Sequence, residues 1–331
     1  MTPRITLALL AYNQERFIEH AVRSALAQEC EPIEILISDD CSRDGTHDRI
    51  RQLADRYDGP HRVVVRRNAR NLGIGRHFNT LMESAQGRLV LLMAGDDISR
   101  PDRVAVTAAA WDRSGETLDL LASHVLDMAE DGAIVGTIRV DPLQEWRNVS
   151  DWARARPYIV GAAHAVTRRL FERFGPLQAA STQEDQVNVL RAVLSGTAFT
   201  IDDTLVMYRR GGISTGVHSA ATYRGWEARR TAAHLTVYSQ WIRDAAHAGH
   251  EAAVRQAIEA NLSRDSFLNS LVTAPAFWKE LQVVMSHPEI EPKWRLKELV
   301  RLRAYPAFYA AKRLHERLKE RKTARVSSPG G

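Results

Sequence analysis

Cysteine is nearly absent: Cys30 and Cys41 are the only two in 331 residues. That excludes a disulfide-stapled scaffold and fits a reducing compartment. The chain also lacks any apolar run of about 18 residues, the length a spanning helix needs. The apolar stretch at 5–11 is short, and Asn13, Gln14 and Glu15 follow it with no small-residue cleavage site. It reads as a first strand and not as a secretory leader. There is no internal repeat and no Gly-x-x-x-x-Gly-Lys-Ser/Thr phosphate loop. Gly73-Ile74-Gly75 begins a dinucleotide fingerprint, but Phe78 stands where its third glycine is required.

What is present is globular in composition, with 44% hydrophobic and 26% charged residues. Bulk disorder and collagen are excluded, and the length suits about two domains. The formal charge of +5 is unevenly placed: residues 293–325 hold 12 basic and 3 acidic side chains, leaving 33 basic and 37 acidic elsewhere. The basic balance belongs to this tail, and the mildly acidic body does not read as a nucleic-acid binder.

Strand-like and helix-like patterns alternate in the first half. Strands are expected at 5–11, 33–38, 63–65, 89–93 and 118–122, and helices at 16–28, 44–56 and 76–85. A further helix is expected from Ser99 with Pro101 in its first turn. This alternation implies a parallel sheet flanked by helices, with ligands at the carboxyl ends of the strands. Beyond residue 140, helices are expected at 141–155, 168–174 and 185–194, with short strands at 199–201 and 205–208. A Gly/Ser-rich break at 211–219 precedes helical text with interruptions at Pro275, Pro288, Pro292 and Pro306.

Acidic pairs at strand ends are the central chemical signal. Asp39-Asp40 and Asp96-Asp97 each follow a buried-type strand. Either pair alone is explained as well by helix capping or loop solvation. Two pairs on neighbouring strands point to a polar ligand or a cation.

The ordered set Leu9-Leu10-Ala11-Tyr12-Asn13-Gln14-Glu15, Ile37-Ser38-Asp39-Asp40-Cys41-Ser42-Arg43-Asp44-Gly45-Thr46, Asn71-Leu72-Gly73, Gly95-Asp96-Asp97 and Glu184-Asp185 resembles family 2 glycosyltransferases of the GT-A fold over residues 3–215. The resemblance implies an α/β fold: a Rossmann-like, mostly parallel central sheet flanked by helices, with an α-helical C-terminal extension. The catalytic domain is expected at 1–215, with a nucleotide half to about 115 and an acceptor half after it, and the extension at 216–331.

The same resemblance implies roles. Ala11, Tyr12 and Asn13 line the base, with Glu15 near the ribose and Arg76 near the base and diphosphate. Asp40 meets the base ring N–H. A carboxylate only accepts, so this favours uracil or thymine and hence a UDP- or dTDP-sugar donor. Asp96 meets the ribose and Asp97 a divalent metal, Mg²⁺ or Mn²⁺. Asp185 is the base of an inverting transfer, with Glu184 as its neighbour or substitute. Alone, this acidic pair reads as a helix N-terminus favoured by the dipole. Arg209, Arg210 and His218 are candidates for the diphosphate or acceptor, although the family's histidine soon after Tyr-Arg is replaced here by Gly211-Gly212.

The processive-synthase Gln-x-x-Arg-Trp signature is missing, so a single-sugar, cytoplasmic enzyme of bacterial surface polysaccharide assembly, such as lipopolysaccharide O-antigen or capsule, is expected. Its acceptor would be a glycan or a lipid-linked glycan. A nucleotidyltransferase of similar fold and a non-catalytic glycan- or membrane-binding relative are the competing readings. The segment 293–322, where Trp294, Leu296, Leu299, Tyr305 and Phe308 interleave with Lys and Arg, reads as a peripheral contact with an anionic membrane or as a face packed on protein. Oligomeric state stays open.

Overall fold

The computed structural model describes residues 3–210 and 220–305. It divides into two compact units: Met1–Gly216 with Thr236–Ile258, and Val217–Leu235 with Glu259–Gly331. The Gly/Ser-rich break at 211–219 and the chain beyond 305 lie outside the described residues.

The first unit opens with β1 (Ile5–Ala11), α1 (Ile18–Leu26), β2 (Glu34–Asp39), α2 (Thr46–Ala54), β3 (Arg62–Arg67), α3 (Ile74–Ser84) and β4 (Leu89–Ala94). β1, β2 and β4 are buried along nearly their whole length, as continuous Ile/Leu/Val text requires of strands covered on both faces. α1 lays Ile18, Ala21, Val22 and Ala25 onto the sheet, one stripe at helical spacing. Each such side chain contributes about 1.5–3 kcal/mol when fully buried, the smaller alanines less.

The chain continues through β5 (Ile98–Ser99), α4 (Arg103–Arg113), β6 (Leu120–Met128), β7 (Ile134–Ile138), α5 (Val149–Arg154), β8 (His164–Thr167), α6 (Arg168–Phe174), α7 (Glu184–Ser195) and β9 (Ala198–Arg209). Among the described residues the strands form one nine-stranded sheet in the order β3-β2-β1-β4-β8-β6-β9-β5, with β7 on β6. By their pairings β1 to β4, β6 and β9 run one way, and β5, β7 and β8 the other. Connections lead outward from β1 to β3 and then return to β4 on the opposite side of β1. This reversal is the switch point where α/β sheets open a crevice for ligands.

Four sequence expectations are corrected. Pro101 precedes α4, because Ile98–Ser99 first pairs with β9 as an edge strand. The helix expected at 141–155 is a 3-10 turn at Leu143–Glu145 followed by α5, whose cap is Asn148. The two strands expected at 199–201 and 205–208 are one bulged strand, β9, paired along β6. Strands β7 and β8 were not expected; β8 is four residues and β7 is an exposed edge, so neither carries a readable period.

The helices α8 (Ala220–His247), α9 (Glu251–Thr273), α10 (Phe277–Met285) and α11 (Pro292–Arg303) follow. Gly249, at φ +78°, separates α8 from α9. Pro275 and Pro288 fall between helices, and Pro292 opens α11. The second unit has its own small core of Phe267, Leu268, Leu271, Ile290 and Leu299. No helix among the described residues is long and apolar enough to cross a membrane.

Candidate active site

The loops that leave β1 and β2 are laced together. Asn13, held at φ +51°, donates its N–H to Ser42 Oγ at 2.9 Å and accepts from Arg43 N at 2.8 Å. Gln14 N–H reaches Thr46 Oγ1 at 2.8 Å. The Glu15 carboxylate accepts from Gly45 N and Arg49, both at 3.1 Å, and these two bonds hold its pKa below the usual range. Glu15 therefore faces the turn after β2.

The two aspartates ending β2 do different work. Asp39, fully buried, accepts from Ser42 and lies 3.1 Å from Arg67 Nε, closing the turn. Asp40, 2% exposed, gathers the loop after β3: Oδ1 accepts from Asn68 Nδ2 at 2.7 Å and Leu72 N at 2.9 Å, and Oδ2 from Gly73 N at 2.9 Å. With about four acceptor positions on a carboxylate, capacity remains on Oδ2. Arg76, in the first turn of α3, is exposed.

Gly95 brings the second acidic pair against the first loop. A side chain there would meet Gln14 Oε1 at 2.5 Å, Ile18 Cδ1 at 2.9 Å and Ala11 Cβ at 3.3 Å, so it would have to push the Gln14 and Ile18 side chains aside. Asp96 is half-buried. Asp97 is 1% exposed: Oδ1 accepts the Arg209 N–H at 2.8 Å, while Oδ2 is buried with no partner among the described residues. Burial raises both carboxyls, and the Asp96 charge pushes Asp97 further. A buried carboxylate oxygen without a donor is costly unless a cation meets it.

Carboxylate oxygens are hard donors of the kind that suit Mg²⁺ or Mn²⁺, which keep waters and take few protein ligands. Among the described residues no cluster of three or more His, Cys, Asp or Glu could enclose an ion, so the protein's share would be Asp97 with Asp96.

Asp185 and Glu184 open α7. Gly161 lies against them: a Cβ there would sit 3.1 Å from Glu184 Oε1. Asp185 Oδ1 accepts from Gln186 N at 2.7 Å. Burial raises Asp185 to about 6, and burial with the neighbouring Asp185 charge raises Glu184 to about 8. Tyr208, near the end of β9, joins the two acid sites. Burial raises its phenol first, and the charges of Asp97, Asp96 and Asp185 all push the same way. One side chain thus lies within electrostatic reach of both sites.

The arginines ending β9 are paired. Arg209 binds the carbonyls of Asp96 at 3.0 Å and Glu130 at 2.8 Å and stacks over Phe17 at 4.6 Å. Arg210 forks onto Asp127, with Nε at 2.6 Å. His218 lies outside the described residues.

Sequence reasoning missed the supports beneath this site. Arg103, 2% exposed, donates to Leu92 O at 2.6 Å on β4, to Ala162 O at 3.1 Å and to Ser99 Oγ at 3.0 Å. It thus ties the Asp97 strand to the turn that carries Gly161. Burial lowers its pKa to about 10 and Asp97 opposes that, so it stays charged. Its signal was legible: Arg103 is in phase with the buried stripe Val104, Thr107, Ala110 and Trp111. His164 bonds Gly161 O through Nδ1 at 2.6 Å and meets Asn188 of α7 through Nε2 at 3.5 Å. Burial lowers it to about 4, so it is neutral, with the proton on Nδ1 because a carbonyl only accepts.

A mostly parallel sheet that reverses its strand order beside β1, flanked by helices and followed by C-terminal helices, has the architecture of a GT-A fold. Residues 6–152 match the family model described as Glycosyl transferase family 2. The uncharacterized protein Rv1520 of Mycobacterium tuberculosis is 30% identical over 231 residues, 68% of this chain and 64% of that one. The chain therefore spans just under two-thirds of that relative's length. The succinoglycan biosynthesis protein ExoO of Rhizobium meliloti is 36% identical over 122 residues, 34% of this chain and 31% of that one.

Two solved structures share the fold. TarS 1–349 of S. aureus, in complex with UDP-GlcNAc, has a TM-score of 0.53 at 17% identity over 85% of this chain and 89% of that one. The mannosyltransferase PcManGT of Pyrobaculum calidifontis, in complex with GDP-Man and Mn²⁺, has a TM-score of 0.53 at 17% identity over 91% and 87%.

Proposed function

We propose that this chain moves one sugar from a UDP- or dTDP-sugar to an acceptor hydroxyl, with inversion, in the assembly of a bacterial surface polysaccharide. One observation carries the reading: Asp97, whose Oδ2 is buried without a partner among the described residues, and Asp185 of the raised pair Glu184–Asp185 both act electrostatically on Tyr208.

Ala11, Tyr12 and Asn13 form the floor for the base, and the remaining acceptor capacity of Asp40 suits the N3–H of uracil or thymine. Asp96 and Asp97 would hold Mg²⁺ or Mn²⁺, which when bound neutralises charge on the departing nucleoside diphosphate. Asp185 takes the acceptor proton. Its raised pKa is near the working pH, which combines an ionised base with useful basicity. Glu184, raised further, stays protonated at neutral pH and spares Asp185 a second charge. Arg103 and His164 fix the turn around Gly161, so the base keeps its place relative to Asp97.

The name of the relative ExoO supports a role in polysaccharide synthesis, and the bound nucleotide sugars of TarS and PcManGT support a nucleotide-sugar donor. Release of nucleotide from UDP-sugars, with water or a glycan as acceptor, tests the reading. Asp185→Asn should lower kcat by about 10²–10⁴-fold while UDP affinity is kept. An unchanged rate would remove Asp185 from the chemistry.

A further inference from the structure

The second unit sorts its side chains in an unusual way. All six lysines of the chain lie between residues 279 and 322, and residues 1–278 carry arginine only. Three of them, Lys279, Lys293 and Lys297, fall on α10 and α11, and all three are exposed. Beside them stand the most exposed large apolar groups described in this unit: Trp278 at 77%, Met285 at 73%, Leu296 at 56% and Val300 at 53%.

On α11 the outward positions are Lys293, Leu296, Lys297 and Val300, spaced as one helical face. On α10, Trp278 and Met285 are seven residues apart and share a side. The acids of both helices turn inward. Glu280 is buried between Arg224 and Arg303, the latter at 2.7 Å, and Glu298 is buried 2.8 Å from Arg301. Exposed acids near these helices, Glu289 and Glu291, sit in the connection between them.

Arginine suits fixed, forked pairs, whereas lysine is a hydrated point charge on a flexible apolar stem. Among the described residues these lysines make no ion pair, Lys279 donating only to Gln282 Oε1 at 3.2 Å, and beside exposed Trp, Met, Leu and Val they fit a partner that is diffusely anionic at its surface and apolar beneath. We propose that the outward faces of α10 and α11 form an interfacial contact with an anionic lipid surface. Trp278 and Met285 enter the headgroup boundary, and Lys279, Lys293 and Lys297 lie at the phosphates. A second copy is a poorer occupant, because a two-fold contact would set these lysines against their own counterparts.

The test is co-sedimentation of the full chain with phosphatidylcholine vesicles, with and without phosphatidylglycerol. Binding is expected only with the anionic lipid, and is lost at high salt. Two variants, Trp278→Ala with Met285→Ala, and Lys279→Glu with Lys293→Glu and Lys297→Glu, should each weaken it by about ten-fold or more. These side chains are exposed, so circular dichroism should be unchanged. Failure of the parent chain to bind overturns the proposal. So does equal binding by both variants, which would assign the contact to the basic residues beyond 305. A concentration-dependent dimer abolished by the same variants would instead assign the face to a second copy.

Discussion

Asp97 and Asp185 are both raised carboxyls, for different reasons and with different consequences. At Asp97 the cause is burial with Asp96 beside it, and in the proposed function a cation offsets it. At Asp185 burial dominates and no cation is required, so the group can exchange a proton. The expected pH profile follows in sign. The base works ionised, so kcat/KM should climb as pH rises through about 6. Glu184→Gln should keep that limb and Asp185→Asn should remove it; a limb that persists in Asp185→Asn would contradict the assignment.

The sequence placed these carboxylates correctly because acids at strand ends and at a helix start need no tertiary information. It could not reveal that Asp40 already serves three donors, or that Arg209 and Arg210 are spent on carbonyls and on Asp127. Those partners lie 28 to 113 residues away.

At the scale of elements, the strong periods of β1 to β4 and α1 to α3 were legible, since each is long and either fully apolar or striped. The acceptor half was less so. β8 inserts antiparallel between β4 and β6, and a strand of four residues has no period of its own. Its placement is set by long-range pairing with β4 and β6.

The segment 236–258 joins the first unit: Arg191 of α7, fully buried, meets Asp244 of α8 at 2.6 Å, and Gln240 braces the same carboxylate at 2.7 Å. Asp244→Ala leaves that guanidinium buried and unpaired. It should cost about 3–5 kcal/mol in urea unfolding, whereas Arg191→Met with Asp244→Leu should cost much less. Equal losses would mean that packing, and not charge, holds the segment.

Across the whole molecule, two kinds of basic residue serve two purposes. Arginine braces both units through buried acids, and among the described residues lysine stands only at exposed positions of the second. The charge asymmetry was visible in composition, but the inward turn of Glu280 and Glu298 needed the folded helices.

Thermal melting with nucleotides tests the nucleotide and metal site of the first unit most directly. Ligands that bind only the folded state raise the melting temperature. UDP or dTDP with Mn²⁺ or Mg²⁺ should stabilise the chain, and EDTA or Asp97→Asn should abolish the shift, while GDP and CDP do little. Stabilisation by GDP alone would contradict the role of Asp40. No response to any nucleotide would contradict the transferase reading itself.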